Sequence, residues 1–291
     1  MKTILISFLV LGLVIGLVRS QAALQGQHPA HAALTFPTGR FCDATVLNER
    51  HVLTAASCGL GDNNQRLNPN IYSLFVGVLV IPTTGAIQIT HIYLHEHYNP
   101  FNEFWNNIAV FRTATNIPIN APLPAPQVQP AEIHNRIMPD NSLCFLVGWN
   151  AIPQHSTTPL QRQQQNIFNR AVCNSLPQIA GSIIDAKICA GSTLNNPTPC
   201  ANNPGGALYC PIDGIDMLVA IMSHNRRCGQ IDAPGVYTQL RFYEQWIAHQ
   251  LTRTDATPPG PTPAPGHPGS GSMVKSSLFV MLSILLLKFF L

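Results

Sequence analysis

The side chains that could carry chemistry in this 291-residue sequence are eleven histidines, eight cysteines and a few hydroxyls beside cysteines. His91, His95 and His97 lie close together in the sequence. On an extended chain, residues two apart share a face, so His95 and His97 would point one way and Glu96 the other. A zinc site needs three or four converging ligands. No His-Glu-x-x-His or clustered Cys/His spacing occurs, so these histidines read as a solvated surface loop and no metal or other cofactor is expected. Ser57 sits in Thr54-Ala-Ala-Ser-Cys58 with no base of its own in the motif. A hydroxyl without a base is a weak nucleophile. His51, six residues earlier, would lie on a strand and reads as packing rather than as that base. The loop Cys200-Ala-Asn-Asn-Pro-Gly-Gly-Ala-Leu-Tyr-Cys210 offers no hydroxyl before its glycines, and Pro204 also lacks a backbone N–H.

The elements that would position these groups read as strands. Short β-like runs at His31–Phe36, Ala44–Leu47, Ile71–Val80 and Ala86–Tyr93 are separated by turn residues at 37–39, 61–64 and 82–85. This suits a small antiparallel barrel. Pro118, Pro122, Pro124, Pro126 and Pro130 punctuate a connection, and a second barrel runs from Ser142 to Leu240. Phe242, Trp246, Ile247 and Leu251 then fall near helical spacing. The chain is 46% hydrophobic and 10% charged, enough for one two-part domain with a sizeable core. Its formal charge is +3, but Lys2, Arg19, Lys275 and Lys288 lie in the terminal segments. Without them 12 basic residues face 13 acidic ones, so bulk charge gives no nucleic-acid surface.

The cysteine-bounded loop resembles the nucleophile loop of trypsin-like serine proteases, C-x-G-D-S-G-G-P-[LV]-x-C, through Cys200, Gly205, Gly206, Leu208 and Cys210. Phe41-Cys42-Asp43 and the stretch His51–Cys58 resemble the family's F-C-G-G and V-[VL]-T-A-A-H-C, and Asn106-Asn-Ile-Ala-Val110 its N-D-I-A-[LV]. The resemblance runs from about His28 to Leu251. It implies an all-β fold of two six-stranded antiparallel β-barrels with a C-terminal helix. It also implies that Ser57, Asn107 and Pro204 stand where active members carry histidine, aspartate and serine. The acid–base pair, the nucleophile and one oxyanion N–H are then absent together. The expectation is a catalytically inactive homologue, similar to azurocidin in its degenerate triad. An activation tetrapeptide Ile-Val-Gly-Gly is missing, and Asn203 replaces the aspartate that would receive the new amino terminus. No zymogen processing is expected.

Eight cysteines allow 105 pairings, which sequence alone does not resolve. The family resemblance implies Cys42–Cys58, Cys144–Cys210, Cys173–Cys189 and Cys200–Cys228, which fits an oxidising compartment. It also implies an altered specificity groove. Ser223-His224-Asn225 replaces Ser-Trp-Gly, with the Asn225 side chain narrowing the entrance. Thr198 stands where trypsin keeps an aspartate, and Arg226 and Arg227 lie at the rim as a recognition patch or an exposed turn. Such a groove could bind without cutting. The expected partner is an extracellular protein, whether protease, inhibitor or receptor, with a glycan or microbial surface as the alternative. A hydrolase with a rebuilt site ranks last.

The termini complete the expected organisation. Residues 1–20 read as a secretory signal peptide with Gln21 as the mature start, and residues 21–252 as the protease-like domain. Residues 253–272 form a Pro/Gly-rich linker and residues 273–291 an apolar tail. Small residues, a spacer and an apolar end match a glycosylphosphatidylinositol attachment signal with Ser270 as the attachment residue, which would put the protein at the outer cell surface; a transmembrane tail or plain secretion are the alternatives. No Asn-x-Ser/Thr sequon with a permitted middle residue is present, so N-glycans are not expected.

Overall fold

The computed structural model describes residues 20–37, 41–102, 105–149, 158–177, 179–191, 204–224 and 233–253. The first barrel is built from β2 (His31–Thr35), β3 (Phe41–Asn48), β4 (His51–Thr54), β5 (Ser73–Val76), β6 (Ile87–Leu94) and β7 (Ala109–Thr113). They close in the order β2-β3-β4-β7-β6-β5. The second comprises β8 (Leu143–Gly148), β9 (Gln161–Ile167), β10 (Lys187–Gly191), β11 (Ala207–Ile212), β12 (Ile215–His224) and β13 (Gly235–Gln239). Its order is β9-β10-β13-β12-β11-β8, and β8 pairs back onto β9 to close it. Every strand pair in both barrels is antiparallel. The expected two-barrel, all-β architecture is the observed one. The short strand β1 (Ser20–Ala22) adds to β9, with Gln21 opposite Arg162.

The period-2 rule decides what fills each barrel. Val52, Phe111 and Ile92 are register partners across β4, β7 and β6, and all three are fully buried in the first core. Their neighbours Leu53, Val110 and Tyr93 face the other way and join Val147, Trp149, Ala207 and Tyr209 in a second apolar cluster. That cluster draws residues from both barrels, so it is the seam between them. Trp149 is fully buried there, and its indole N–H donates to the Leu79 carbonyl at 2.7 Å. A buried indole needs such a partner.

Two helices end connections. Asn169 caps α1 (Arg170–Ser175) by accepting the Ala171 N–H at 2.8 Å. The expected C-terminal helix begins as a 3₁₀ turn over Leu240–Phe242 and continues as α2 (Glu244–Thr252). Among the described residues, no helix is long and apolar enough to cross a membrane. Three of the implied disulfides are present: Cys42–Cys58, Cys144–Cys210 and Cys173–Cys189. Cys200 and Cys228 lie outside the described residues.

Candidate functional site

Strand β4 delivers Ser57. After Thr54 the chain tightens into a 3₁₀ turn over Ala56–Gly59, and the Cys42–Cys58 disulfide ties that turn to β3. Asn107 comes from the entry to β7. The residue before it, Asn106, holds a left-handed φ of 53°, a conformation that asparagine adopts more readily than most residues. The Asn106 side chain donates to the His97 carbonyl at 2.9 Å and accepts the Tyr243 hydroxyl at 3.0 Å. This fixes the turn and sends Asn107 inward, where it is fully buried.

Ser57 and Asn107 meet. The Ser57 backbone N–H donates to Asn107 Oδ1 at 2.8 Å. A backbone N–H can only donate, so this bond fixes the amide's orientation. Asn107 Nδ2 then donates to Ser223 Oγ at 3.0 Å and to the Ser223 carbonyl at 3.3 Å. Its carbonyl accepts the Thr238 hydroxyl at 3.1 Å. Because Ser223 Oγ receives the Asn107 proton, its own proton is free for His224 Nδ1, 3.2 Å away. The result is one hydrogen-bonded line across both barrels, from Ser57 through Asn107 and Ser223 to His224.

None of the first three members can act as a base near neutral pH. The Ser57 hydroxyl is buried, and among the described residues no imidazole or carboxylate hydrogen-bonds to it. Beside it stands the Tyr98 phenol. Burial pushes that phenol above its ordinary range, and its contact with Ser57 opposes the rise. A raised phenol stays protonated and is no base at neutral pH.

Pro204 enters from the opposite side. Its carbonyl accepts the Asp43 N–H at 3.1 Å. Gly205 follows with a φ of 88°, and a Cβ there would stand 2.0 Å from the Asp43 carbonyl oxygen. Only glycine fits. The Gly205 N–H donates to the Met222 carbonyl at 2.8 Å, and Met222 returns its N–H to Gly206 at 2.7 Å. The loop is thus laced into β12. Ser223 is 2% exposed and His224 half-buried at the start of the expected groove. Thr198, Asn203, Asn225, Arg226 and Arg227 lie outside the described residues, as do Ser270, residues 254–272 of the linker and the tail.

The other histidines separate as their surroundings dictate. His95 and His97 lie beyond β6, in a turn rather than on a strand, with ring centroids 5.9 Å apart. His95 packs edge-on to Tyr243, while Glu96 accepts the Trp246 indole N–H at 2.8 Å. Among the described residues no three His, Cys, Asp or Glu side chains converge on a metal position. His51 lies on β4, 5% exposed, its Nδ1 3.0 Å from Asn48 Oδ1. Burial first, then the charges of Arg112 and Arg50, lower its pKa to about 4.

One buried pair escaped the motif reading. His31 Nε2 lies 3.0 Å from Asp43 Oδ1, and both side chains are 2% exposed or less. The Trp149 N–H also reaches Asp43 Oδ1, at 3.3 Å. The signal was present in the sequence: Asp43 interrupts an apolar strand and replaces the first glycine of the F-C-G-G pattern.

A family model described as trypsin matches residues 17–247. The chain belongs to the trypsin family. An alkaline trypsin C from Manduca sexta is 31% identical over 235 residues, covering 77% of this chain and 86% of the relative. Human serine protease 41 is 28% identical over 250 residues, covering 80% and 76%. Human transmembrane protease serine 11B is 25% identical over 234 residues, covering 79% and 54%. This chain thus spans about half the length of that relative and of mouse transmembrane protease serine 11C. Among solved structures, mouse neuropsin, a serine protease, aligns with a TM-score of 0.64 at 26% identity, covering 80% of this chain and 98% of its own.

Proposed function

We propose that this trypsin-family chain does not hydrolyse peptides and serves outside the cell as a protein-binding decoy, cofactor or adaptor. The observation that carries the reading is the line Ser57–Asn107–Ser223. The Asn107 amide joins the Ser57 N–H to the Ser223 hydroxyl without an imidazole or a charge at the positions matching the family's histidine and aspartate. Pro204, at the position matching the serine, can neither form an acyl-enzyme nor donate to an oxyanion. Removing one oxyanion donor alone costs on the order of 10²–10³ in rate. A fluorophosphonate probe and a mixed peptide substrate test this. No labelling and no cleavage are expected, and stoichiometric labelling of the purified chain would sink the proposal.

The retained fold supports binding in place of cutting. Rigid loops on a disulfide-tied scaffold present a groove whose described rim includes Ser223 and His224. Disulfides and the signal-like amino terminus support a location outside the cell, and the apolar tail supports attachment at the surface through a lipid on Ser270. Treating intact expressing cells with phosphatidylinositol-specific phospholipase C after surface cross-linking checks both ideas. Release of the chain together with a protease, inhibitor or receptor is the expected outcome. Retention on the cells would remove the lipid anchor from the reading.

One observation favours an acidic glycan as a second reading. His51, Arg112 and His91 are register partners across β4, β7 and β6 on the outside of the first barrel, with Arg50 beside them. The charges of Arg112 and Arg50 both depress His51, so this row carries positive potential despite a near-neutral domain. Binding to a sulfated glycan that falls steeply with salt, and weakens in Arg112→Ala, would favour it.

A further inference from the structure

Away from the groove, the connection between the barrels ends in a loop. From His134 to Pro139 the chain is neither helix nor strand. Both ends of this loop are pinned to the second barrel. The His134 N–H donates to the Leu218 carbonyl at 2.9 Å, and the Leu218 N–H donates back to the Glu132 carbonyl at 2.8 Å. On the far side, the Asn141 N–H donates to the Ile167 carbonyl at 2.7 Å and the Ser142 N–H to the Pro139 carbonyl at 3.2 Å. Among the described residues, no hydrogen bond holds the backbone of residues 135–138 between those pins. Arg136 and Ile137 stand in the middle of that span, both exposed, Ile137 at 70%.

A protease needs chain that it can draw out into an extended form. Exposure and a backbone free of hydrogen bonds therefore mark a bond open to cutting better than sequence position does. The side chain then selects the protease, since a guanidinium suits a specificity pocket with a carboxylate at its base. Among the described residues, Arg136 is the one Lys or Arg that is exposed outside every helix and strand. Arg50 and Arg66 are half-buried and donate to the carbonyls of Thr113 and Ile92. Arg112 and Arg162 lie on strands, and Arg170 opens α1 in an ion pair with Asp185.

The surroundings also decide what a cut would do. Cys42 pairs with Cys58 before this bond and the other six cysteines follow it, so no disulfide within the chain crosses it. Residues 132–134 are hydrogen-bonded to β12, β1 is paired with β9, and the apolar seam draws on both sides of the bond. We infer that Arg136–Ile137 is a processing site for an arginine-specific serine protease, and that the cut converts the single chain into two chains that stay together without a covalent link. Water adds to the Arg136 carbonyl carbon, the C–N bond breaks, and the Ile137 nitrogen takes up the proton as a new amino terminus. This bond is remote from the amino-terminal region where the activation tetrapeptide is missing. Its cutting does not depend on whether this chain itself cleaves peptides.

Limited digestion of the purified full chain with trace trypsin, under native conditions, tests it. Within residues 21–252 the first cut is expected to expose the amino terminus Ile137-Met-Pro, read by Edman sequencing. The cut protein should elute from gel filtration as one species and separate into two fragments on a denaturing gel run without reductant. Arg136→Gln should slow that cut by about a hundredfold or more, because the acidic pocket loses its cation. Its melting temperature should match that of the unaltered chain, which ties the slower cut to the bond rather than to a tighter fold. Arg170→Gln, at the start of α1, should leave the rate unchanged. A first cut at another bond within residues 21–252, an Arg136→Gln chain cut as fast as the unaltered one, resistance until the chain unfolds, or fragments that part on gel filtration would each overturn the inference.

Discussion

Two buried polar networks lie near the loop that carries Pro204, and they differ in kind. On one side, Ser57, Asn107 and Ser223 form a neutral line in which the Ser57 N–H and the Asn107 amide both find partners. On the other, Asp43 keeps a carboxylate under full burial, with His31 and the Trp149 N–H on it and its own N–H on the Pro204 carbonyl. The neutral network is built of hydroxyls and amides, and the ionisable one interrupts the mostly buried strand β3 at Asp43. The fold therefore accepts either kind, with the Asn107 amide and the Asp43 side chain each hydrogen-bonded. What differs is the cost of breaking them. An amide that loses a partner forfeits a modest net hydrogen bond, whereas a buried carboxylate that loses its partners keeps most of its desolvation penalty.

This contrast can be tested by substitution. Asp43→Ala should be the most damaging change, at about 3 kcal/mol or more, because it leaves His31 and the Trp149 N–H without their acceptor. Urea unfolding measures it, and the double variant His31→Phe/Asp43→Leu should cost less than the two single changes added together. Asn107→Ala should cost about 1–3 kcal/mol, since the Ser57 N–H and Ser223 lose their partner in a fully buried place. A cost equal to that of Asp43→Ala would erase the distinction between the networks.

Acid sharpens the same contrast, because the neutral line has nothing to titrate until His224. The folded-state pKa values of His28 and His51, about 3 and about 4, lie below the ordinary 6.5. The unfolded chain then binds more protons between those values. Stability is fully present above about pH 6.5 and is lost as pH falls through 4 towards 3. Each group contributes at most about 1.4 kcal/mol per pH unit, and less for His51, which water partly screens. His51→Phe should flatten the decline measured by thermal unfolding from pH 7 to pH 4.

The smallest effect is expected from Ser57→Ala, below about 1 kcal/mol. It removes a hydroxyl without a strong partner and leaves the backbone N–H on Asn107 intact. A large loss there would mean that the Ser57 hydroxyl does more than fill space beside Tyr98.

Much of this was legible before any coordinates. Glycines and cysteines that bracket strands survive as fixed spacings, so Cys42, Cys58, Gly205 and Gly206 announced the frame. Period-2 burial announced β2, β3 and β6 to within a few residues. The loop expected at His95–His97 is observed as a turn past Leu94: the Tyr98 N–H returns to the His95 carbonyl at 2.9 Å. The His31–Asp43 pair was invisible because its members come from different strands, and only the β2–β3 pairing brings them together.

The sequence by itself determined the family, the two barrels and the identity of Ser57, Asn107 and Pro204, because these depend on residue type and local spacing. Only the tertiary structure decided that Ser57 and Asn107 close on each other, 50 residues apart, and that Asn107 then donates to Ser223, a further 116 residues on. The same holds for the loop that presents Arg136, whose ends are pinned at Leu218 and Ile167. Hydrogen bonds and exposure depend on where side chains end, within a few tenths of an ångström. That position is set by the packing of both barrels together and is carried by no single stretch of chain.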